Sequence, residues 1–481
     1  MAKKSEEGIT AKKEENFSEW FTQILQRCEL TDIRYNIKGF LVHRPWAVLT
    51  MEKMYKFFEE TLQKKAHNPC WFPTLIPEEN LEKESSHIGG FTPSVFWVTK
   101  GGKTNFQKKI ALRPTSETAF YQMFALWIRS HNDLPFKIYQ RANIFRYETK
   151  ATRPLLRDRE FYWIEAHCVH ATEKDAFNQV QEDMQTTKEV MHDIFGLPFI
   201  FFERPSWDKF PGASRTFAAD ALNPDGKLVQ QPSTHMISQK FSKAFDVKFK
   251  DKNGKEKYAY ITCYGPAISR IFASVIITHG DDKGLRFPWE IAPLQVTIIP
   301  IDKKLNKKAE ELKNQIKKFA TVKIDYSDKR PGEKFNHWEM KGVPVRIDLG
   351  LKDSQKKKLT IFRRDLNKKE IISEKDTTKT IQKISKEFTK NLIKQADKVF
   401  EGRIKGTKNL KEIKSAIKQG TIAQCGFCSV EKDGEKCAEV IEKHVGAEVR
   451  GTKLDEKNKN SGKCVICRKK ANHIVYIAKS Y

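Results

Sequence analysis

IYQRANIFRYETKATRPLLRDREFYWIEAH, residues 138–167, is the stretch from which the rest of the 481-residue chain is best read. Two runs of period-two residues flank the polar loop Thr149–Asp158, which predicts two antiparallel strands joined by that loop. On the first, Arg146 and Glu148 stand two apart and share a face. On the second, Arg157, Arg159, Phe161, Trp163, Glu165 and His167 share one face, while Tyr162, Ile164, Ala166 and Cys168 share the other. One face is apolar; the other carries guanidiniums, carboxylates and aromatic rings, the groups that grip phosphates and stack a flat base. Phe161 and Trp163 on the charged side fit a ligand site better than a solvated surface.

Working outward, Trp46–Lys65 places Met51, Met54, Tyr55, Phe58 and Leu62 at three- and four-residue steps, the stripe of an amphipathic helix. WFPTLIP (71–77) cannot prolong it, because Pro73 and Pro77 each lack a donor and favour extended or edge positions. Period-two runs from Lys108 to His170 predict an antiparallel sheet. Residues 171–200 read as helix, Tyr258–Tyr264 as strand and Pro266–Thr278 as helix, closing an α+β domain near Trp289. Beyond Ala292 an apolar strand, a lysine-rich helix and strands at Thr321–Tyr326, Val343–Leu349 and Lys358–Phe362 alternate into a small α/β domain, whose last helix spans Thr380–Val399. The resulting division is a polar tail over 1–15, a catalytic-type domain over 16–290, an α/β domain over 291–400 and a cysteine-bearing module over 401–481.

Lys and Arg total 88 against 61 Asp and Glu, an excess of 27 positive charges that points to a polyanionic partner, nucleic acid first among them. The N-terminal residues lack the apolar run of a secretory signal, and no stretch is long and apolar enough to span a bilayer, so no membrane partner is expected. Five of the nine cysteines fall in the last sixty residues. Cys425-x-x-Cys428 and Cys464-x-x-Cys467 have the spacing of thiolate knuckles for tetrahedral Zn²⁺, with Cys437 between them, which favours a reducing, cytoplasmic location and a closed structural site.

Phe145-Arg146-Tyr147-Glu148 and Arg157-Asp158-Arg159-Glu160-Phe161 resemble the second signature motif of class II aminoacyl-tRNA synthetases. Tyr264-Gly265-Pro266-Ala267-Ile268-Ser269-Arg270 resembles the third, and the proline-marked strand at Pro73 the first, which in that class builds a homodimer interface. RPTSET (113–118), LEKESSHIGGF (81–91), REFYWIEAH (159–167) and HGDDKGLRFPWEIAP (279–293) narrow the likeness to the prolyl branch of archaeal and eukaryotic type. The resemblance implies a class II antiparallel-sheet catalytic domain, an α/β anticodon-binding domain and a small zinc-binding α+β C-terminal domain. It implies that Mg²⁺-bound ATP is held by Arg146, Glu148, Arg157, Phe161, Gln230, Ser233 and Arg270, with Arg146 and Arg270 stabilising phosphate charge.

By the same resemblance L-proline lies among Thr115, Glu117, Arg146, Trp163, Glu165, His167, Phe217 and His235. A prolinium nitrogen, with two hydrogens and a positive charge, needs a carboxylate and a second acceptor, which Glu117 and Thr115 supply. PGEKFNHWEMKGVPVRIDLG (331–350) and Arg363-Arg364-Asp365 resemble the anticodon module, making Lys334, Glu339, Arg346 and Arg364 candidates for contacting tRNA(Pro). Four of Cys425, Cys428, Cys437, Cys464 and Cys467 are expected to bind zinc, with either Cys428 or Cys437 spare. The sequence departs from the family at Gln231, Pro232, Ser238 and Ala166, where glycines or small residues are usual, so local backbone geometry is open there. The implied activity is prolyl-tRNA synthesis through a prolyl adenylate. The alternatives are a sister synthetase for another small amino acid and a tRNA-binding paralogue with weakened catalysis. Fewer than ninety residues separate His170 from Tyr258, which leaves no room for an inserted editing domain.

Overall fold

The computed structural model describes residues 8–88, 94–454 and 462–481, with side chains described throughout except at 84–88. The GGF end of the Leu81–Phe91 stretch and the first seven residues lie outside them. Helix α1 (Pro45–Lys64) has proline in its first turn and buries the predicted stripe of Met51, Met54, Tyr55, Phe58 and Leu62. The extended run after it is short: Leu75–Pro77 pairs with Thr104–Leu112 in a separate three-stranded sheet.

The predicted sheet from Lys108 to His170 is interrupted by helix α2 (Glu117–Trp127). Phe120, Tyr121 and Phe124 recur there at one- and three-residue steps on a buried face, so helical burial overrides the local extended preference. The central strands are β1 (Phe136–Phe145), β2 (Glu160–His170), β3 (Arg215–Leu222), β4 (Lys227–Ser238) and β5 (Tyr260–Gly265). They pair antiparallel in the order β3, β4, β5, β2, β1. Helix α3 (Ile268–His279) covers one face, burying Ile268, Ile271, Phe272 and Val275 in a core shared with α1. The opposite face is left for the site.

β1 ends at Phe145, so Arg146 and Glu148 do not share a strand face. The Glu148 N–H donates to the Arg146 carbonyl at 2.8 Å and turns the chain, although Arg146 still pairs with the Arg159 carbonyl at 2.9 Å. Arg157 and Arg159 likewise precede β2. The polar tail expected over residues 1–15 is docked from Gly8 onward. Ile9 and Ala11 pack on the main core, and Lys13 Nζ donates to the Gly280 carbonyl at 2.8 Å.

The next unit is a five-stranded sheet ordered Val322–Ile324, β6 (Val296–Pro300), β7 (Val345–Leu349), β8 (Lys358–Arg363) and Lys368–Ser373. The last strand and helix α4 (Pro331–Met340) go beyond the sequence reading; α4 starts on Pro331 with Glu333 closing a capping box. Helix α5 (Thr377–Glu401) buries Ile381, Ile384, Phe388 and Leu392 against this sheet. The C-terminal module holds β9 (Ile422–Phe427), α6 (Glu435–Val445), β10 (Glu448–Gly451) and β11 (His473–Ser480). β11 also pairs parallel with β4 through Lys227↔Lys479 and Leu228↔Ser480, joining the module's sheet to the central one.

Candidate active site

Arg146, Glu148, Arg157, Phe161 and Arg270 line one cavity of about 280 Å³. Larger cavities of about 520 and 600 Å³ lie against α5, but neither gathers a comparable cluster of guanidiniums around an aromatic ring. The Arg146 guanidinium stands 5.2 Å from the Phe161 ring and 5.9 Å from that of Trp163. Its Nε donates to the Pro114 carbonyl at 3.0 Å, and it makes no ion pair among the described residues. Its outer nitrogens are therefore available to an anion. Arg270, on the side of α3 opposite the buried stripe, donates to the Gln230 carbonyl at 3.1 Å. Burial and then the charges of Arg146 and Arg157 bring its pKa down to about 10, which leaves it cationic at neutral pH.

Beside this cavity the strand register sets residues in rows. His167, Cys263, His235 and Thr216 align across β2, β5, β4 and β3. Glu165 is buried and fully engaged: Oε1 accepts from the Ser116 backbone at 2.9 Å and lies 3.2 Å from His167 Nε2, while Oε2 accepts from Gln140 Nε2 at 3.2 Å. Tyr121 meets the other ring nitrogen of His167 at 3.0 Å. Glu117, at the start of α2, makes a short side-chain contact with the Thr115 hydroxyl. Burial first, then the charge of Glu165, raises the Glu117 pKa, whereas Glu165 is held low by His167 and Ser116 despite its burial. Two neighbouring carboxyls are thus driven apart, and Glu117 becomes a receptor whose ionisation is favoured by an arriving ammonium group. Ligand atoms of Glu117, Glu165 and His167 fall within 4.8 Å of one another. With both Glu165 oxygens already accepting hydrogen bonds, the cluster is better suited to an organic cation than to a metal.

His235 bridges Thr216 Oγ1 and Ser233 Oγ at 3.0 Å each, and burial lowers its pKa to about 3, so the ring is neutral. Trp163 is half-buried, and Gly265 lies against its ring with just enough space for a Cβ at 3.4 Å. Phe217 does not wall this pocket. It follows Thr216 on β3, and period-two alternation turns it to the other face, into a separate cluster with Val180 and Met236. The departures from the family are accommodated. Ala166 is buried in the core on the far face. Gln231 sends its amide to Ser274 Oγ at 2.7 Å, and Pro232 falls at the interruption of the β3–β4 register, where no ladder donor is needed. Ser238, where the family carries glycine, adopts φ +57° and donates to Ser214 Oγ at 2.6 Å.

The candidates in the second domain are mostly internal. Lys334 Nζ donates to the Asp325 carbonyl at 3.1 Å. Arg346 is sandwiched between Phe335 and Phe362 at 4.1 and 4.7 Å and paired with Asp348 at 2.7 Å and Glu339 at 2.6 Å. Arg364, 0% exposed, grips both Asp281 oxygens at 2.6 Å and clamps this domain to the catalytic one. Direct base contact is thus withdrawn for Arg364, whose donors are spent on Asp281, the Asn367 side-chain oxygen and the Glu339 carbonyl. Lys334 and Arg346 are buried with internal partners, and Glu339 is the more accessible of the four.

The Sγ atoms of Cys428, Cys437, Cys464 and Cys467 lie within 4.8 Å of one another, with Cys428 and Cys437 at 3.7 Å. Zn–S bonds of ~2.3 Å in a tetrahedron require S···S distances of about 3.8 Å, so the four thiols fit a zinc ion. The spare is Cys425, correcting the expectation of Cys428 or Cys437. It lies on β9 with Ala423 and Phe427 on the core face, and burial, with Cys464 nearby, pushes its thiol up to about 12.

Three family models match in succession: the class II tRNA synthetase core domain (G, H, P, S and T) over residues 96–279, an anticodon binding domain over 295–384, and a prolyl-tRNA synthetase C-terminal domain over 410–481. By fold and site the chain is therefore a class II aminoacyl-tRNA synthetase. Proline–tRNA ligase of Thermofilum pendens is 46% identical, covering 99% of this chain and 100% of the relative, and that of Methanobrevibacter smithii is 43% identical over 97% and 100%. Prolyl-tRNA synthetase of Giardia lamblia, solved with prolyl-adenylate, superposes with TM-score 0.94 at 35% identity over 98% of this chain and 100% of that one. The Cryptosporidium parvum enzyme, solved with halofuginone and AMPPNP, gives 0.94 at 32% over 99% and 100%. The chain belongs to the prolyl-tRNA synthetase family.

Proposed function

We propose that this protein activates L-proline with ATP and transfers the prolyl group to the 3′ end of tRNA(Pro). The observation that carries this is the adjacency of the two receptors. The buried Glu117–Thr115 pair, suited to an ammonium nitrogen, opens beside the Arg146, Arg157 and Arg270 cavity, suited to a triphosphate. Proline would place its nitrogen on Glu117 and Thr115 and its ring against Trp163, with Glu165 and His167 holding the pocket floor and His235 its far wall. ATP would stack its base on Phe161, with Gln230 and Ser233 contributing from β4.

The proline carboxylate attacks the α-phosphorus, forming the carboxyl–phosphate bond as the bond to the leaving pyrophosphate breaks. Arg146 and Arg270 balance the charge that develops on the phosphate oxygens. A ribose hydroxyl of the tRNA terminus then attacks the prolyl carbonyl, and AMP leaves. No nucleophilic side chain is required, because the work is positioning and electrostatics. Mg²⁺ would offset phosphate charge beside Glu148, the carboxylate that lines the cavity. Zinc on Cys428, Cys437, Cys464 and Cys467 would be structural, since four thiolates leave no open position.

Glu339 is the foremost anticodon candidate, supported by Arg346. A domain division near 290 and 400 is supported by the hydrophobic clusters centred on either side of those points. A homodimer is supported by the apolar surface at Trp71 (89% exposed), Leu75 and Trp127, on the side of the proline-marked strand. Among the described residues no helix is long and apolar enough to cross a membrane, and we assign the protein to the cytoplasm. Amino-acid-dependent exchange of pyrophosphate into ATP tests the reading. Proline alone should support exchange. A different preferred amino acid would indicate a sister specificity, and no exchange with retained tRNA binding would indicate a paralogue without catalysis.

A further inference from the structure

β10 carries a bulge. Val449 pairs with Ile477 and Gly451 with Tyr476, which leaves Arg450 out of the ladder. Bulges re-aim side chains, and this one turns Arg450 inward, where it is 5% exposed. The neighbouring backbone is held tightly: Gly451 adopts φ +129°, and a Cβ there would meet the Glu203 carbonyl at 2.0 Å. Arg450 Nε donates to Asp220 Oδ2 at 2.9 Å, and its Nη1 to Glu448 at 2.7 Å. Asp220 is fully buried on β3, next to a second register shift between Ala218 and Asp220.

The same carboxylate receives both outer nitrogens of Arg204, at 2.9 and 2.7 Å. The same two nitrogens of Arg204 also donate to the Arg450 carbonyl at 2.9 Å and to Oε1 of Gln230 at 3.4 Å, while its Nε faces Asp208 at 3.9 Å. Gln230 stands opposite Asp220 in the β3–β4 register, and its own carbonyl accepts from Arg270. Burial works against the charge of Asp220, yet Arg204 and Arg450 hold its carboxyl below the ordinary range. One buried anion is thus shared by two guanidiniums, and neither can leave without stranding charge. With Arg204 occupying the amide oxygen of Gln230, the side of that amide left for a ligand is its NH₂, a donor.

We propose that Arg450 of the C-terminal module is a positioning residue for nucleotide binding. Through Asp220 and Arg204 it fixes the Gln230 amide with its NH₂ toward an acceptor on ATP, so that the zinc-bearing module tunes ATP affinity from outside the catalytic domain. The proposal rests on the reading of Gln230 as an ATP contact.

The test is pyrophosphate exchange by Arg450→Met, Arg450→Lys, Gln230→Ala and the Arg450→Met/Gln230→Ala double variant, with KM for ATP and for proline measured separately and zinc content checked in each. Arg450→Met should raise KM for ATP about five- to tenfold, the loss of one positioned hydrogen bond, and leave KM for proline within twofold. Arg450→Lys should recover most of the loss. Gln230→Ala should raise KM for ATP similarly, and the double variant should be no worse than Gln230→Ala alone. A raised KM for ATP in Gln230→Ala but not in Arg450→Met would overturn the relay and leave the nucleotide site intact. An unchanged KM for ATP in Gln230→Ala would overturn both. Additive losses, or a parallel rise in KM for proline, would mean that Arg450 merely holds the fold. Should Arg450→Met fail to fold, the same cycle with Arg450→Lys decides: a partial rise in KM for ATP that vanishes on the Gln230→Ala background supports the relay, and an additive one overturns it.

Discussion

Replacing Arg146 with alanine should abolish adenylate formation while leaving a folded enzyme. Arg146 makes no ion pair with a carboxylate among the described residues, so its removal breaks no direct buried pair. The structural loss is one hydrogen bond to Pro114, about 1 kcal/mol, and ring contacts with Phe161 and Trp163, about 1 kcal/mol more. The catalytic loss is larger, because a guanidinium aimed at a phosphate that gains charge in the transition state contributes ~3–4 kcal/mol, roughly a hundredfold or more in rate. The assay is proline-dependent pyrophosphate exchange, with the melting temperature and tRNA affinity measured on the same preparation. Arg146→Lys should fall between the two, since it keeps the charge but loses the planar fork. Near-normal exchange by Arg146→Ala with the fold intact would refute the assignment of this cavity to ATP.

Zinc content separates the cysteines: Cys437→Ser should lose the metal and lower the thermal midpoint, whereas Cys425→Ala should keep one zinc per chain and lose only packing. Arg346→Ala should destabilise the second domain by ~3–5 kcal/mol, because Asp348 would be left buried and unpaired; a tRNA-charging defect without any stability loss would return Arg346 to the role of a direct contact. Asp183 is pushed up to about 7 by burial, against hydrogen bonds from Thr234 and Gln179. Its carboxyl is protonated in the folded chain below about pH 7, while the unfolded chain ionises above about pH 4, so the stability it contributes is complete below pH 4 and is lost as pH rises toward 7. Asp183→Asn should flatten that decline, read from urea midpoints at pH 5 and 8, and an unchanged slope would show that Asp183 is not its source.

The nucleotide motif was legible because Arg146, Arg157 and Phe161 lie within one hairpin, where strand parity and the aromatic positions can be read directly, whereas Arg270 joins their cavity from α3. Parity also explains two misses. The resemblance places Phe217 in the pocket, whereas Thr216 on the site face turns Phe217 to the other. Arg146 and Glu148 were given one face by a strand that ends a residue earlier. The four-thiol cluster was visible in the cysteine spacing, but the spare was not, because Cys425-x-x-Cys428 spans the end of β9 and only the fold turns Cys425 into the core. Arg364 and Arg346 read as surface cations, since nothing local reveals that Asp281, more than eighty residues away, and the Phe335 and Phe362 rings enclose them. The Arg204–Asp220–Arg450 group joins residues up to 246 positions apart through two bulges, neither of which leaves a local signature.

The parallel seam between β4 and β11 also bears on how the chain is made. Leu228 meets Ser480 there, so about 250 residues must be synthesised after one partner before the other exists, roughly 10–50 s at ~5–20 residues per second. Through that interval the Lys227 end of β4 presents unpaired backbone groups, an invitation to wrong strand pairing. The exposed span, Lys227 and Leu228, is only two residues long, and the charges of Lys227 and nearby Asp225 discourage a foreign strand. A nascent chain can therefore assemble its central sheet early and wait for its last strand with little risk of aggregation.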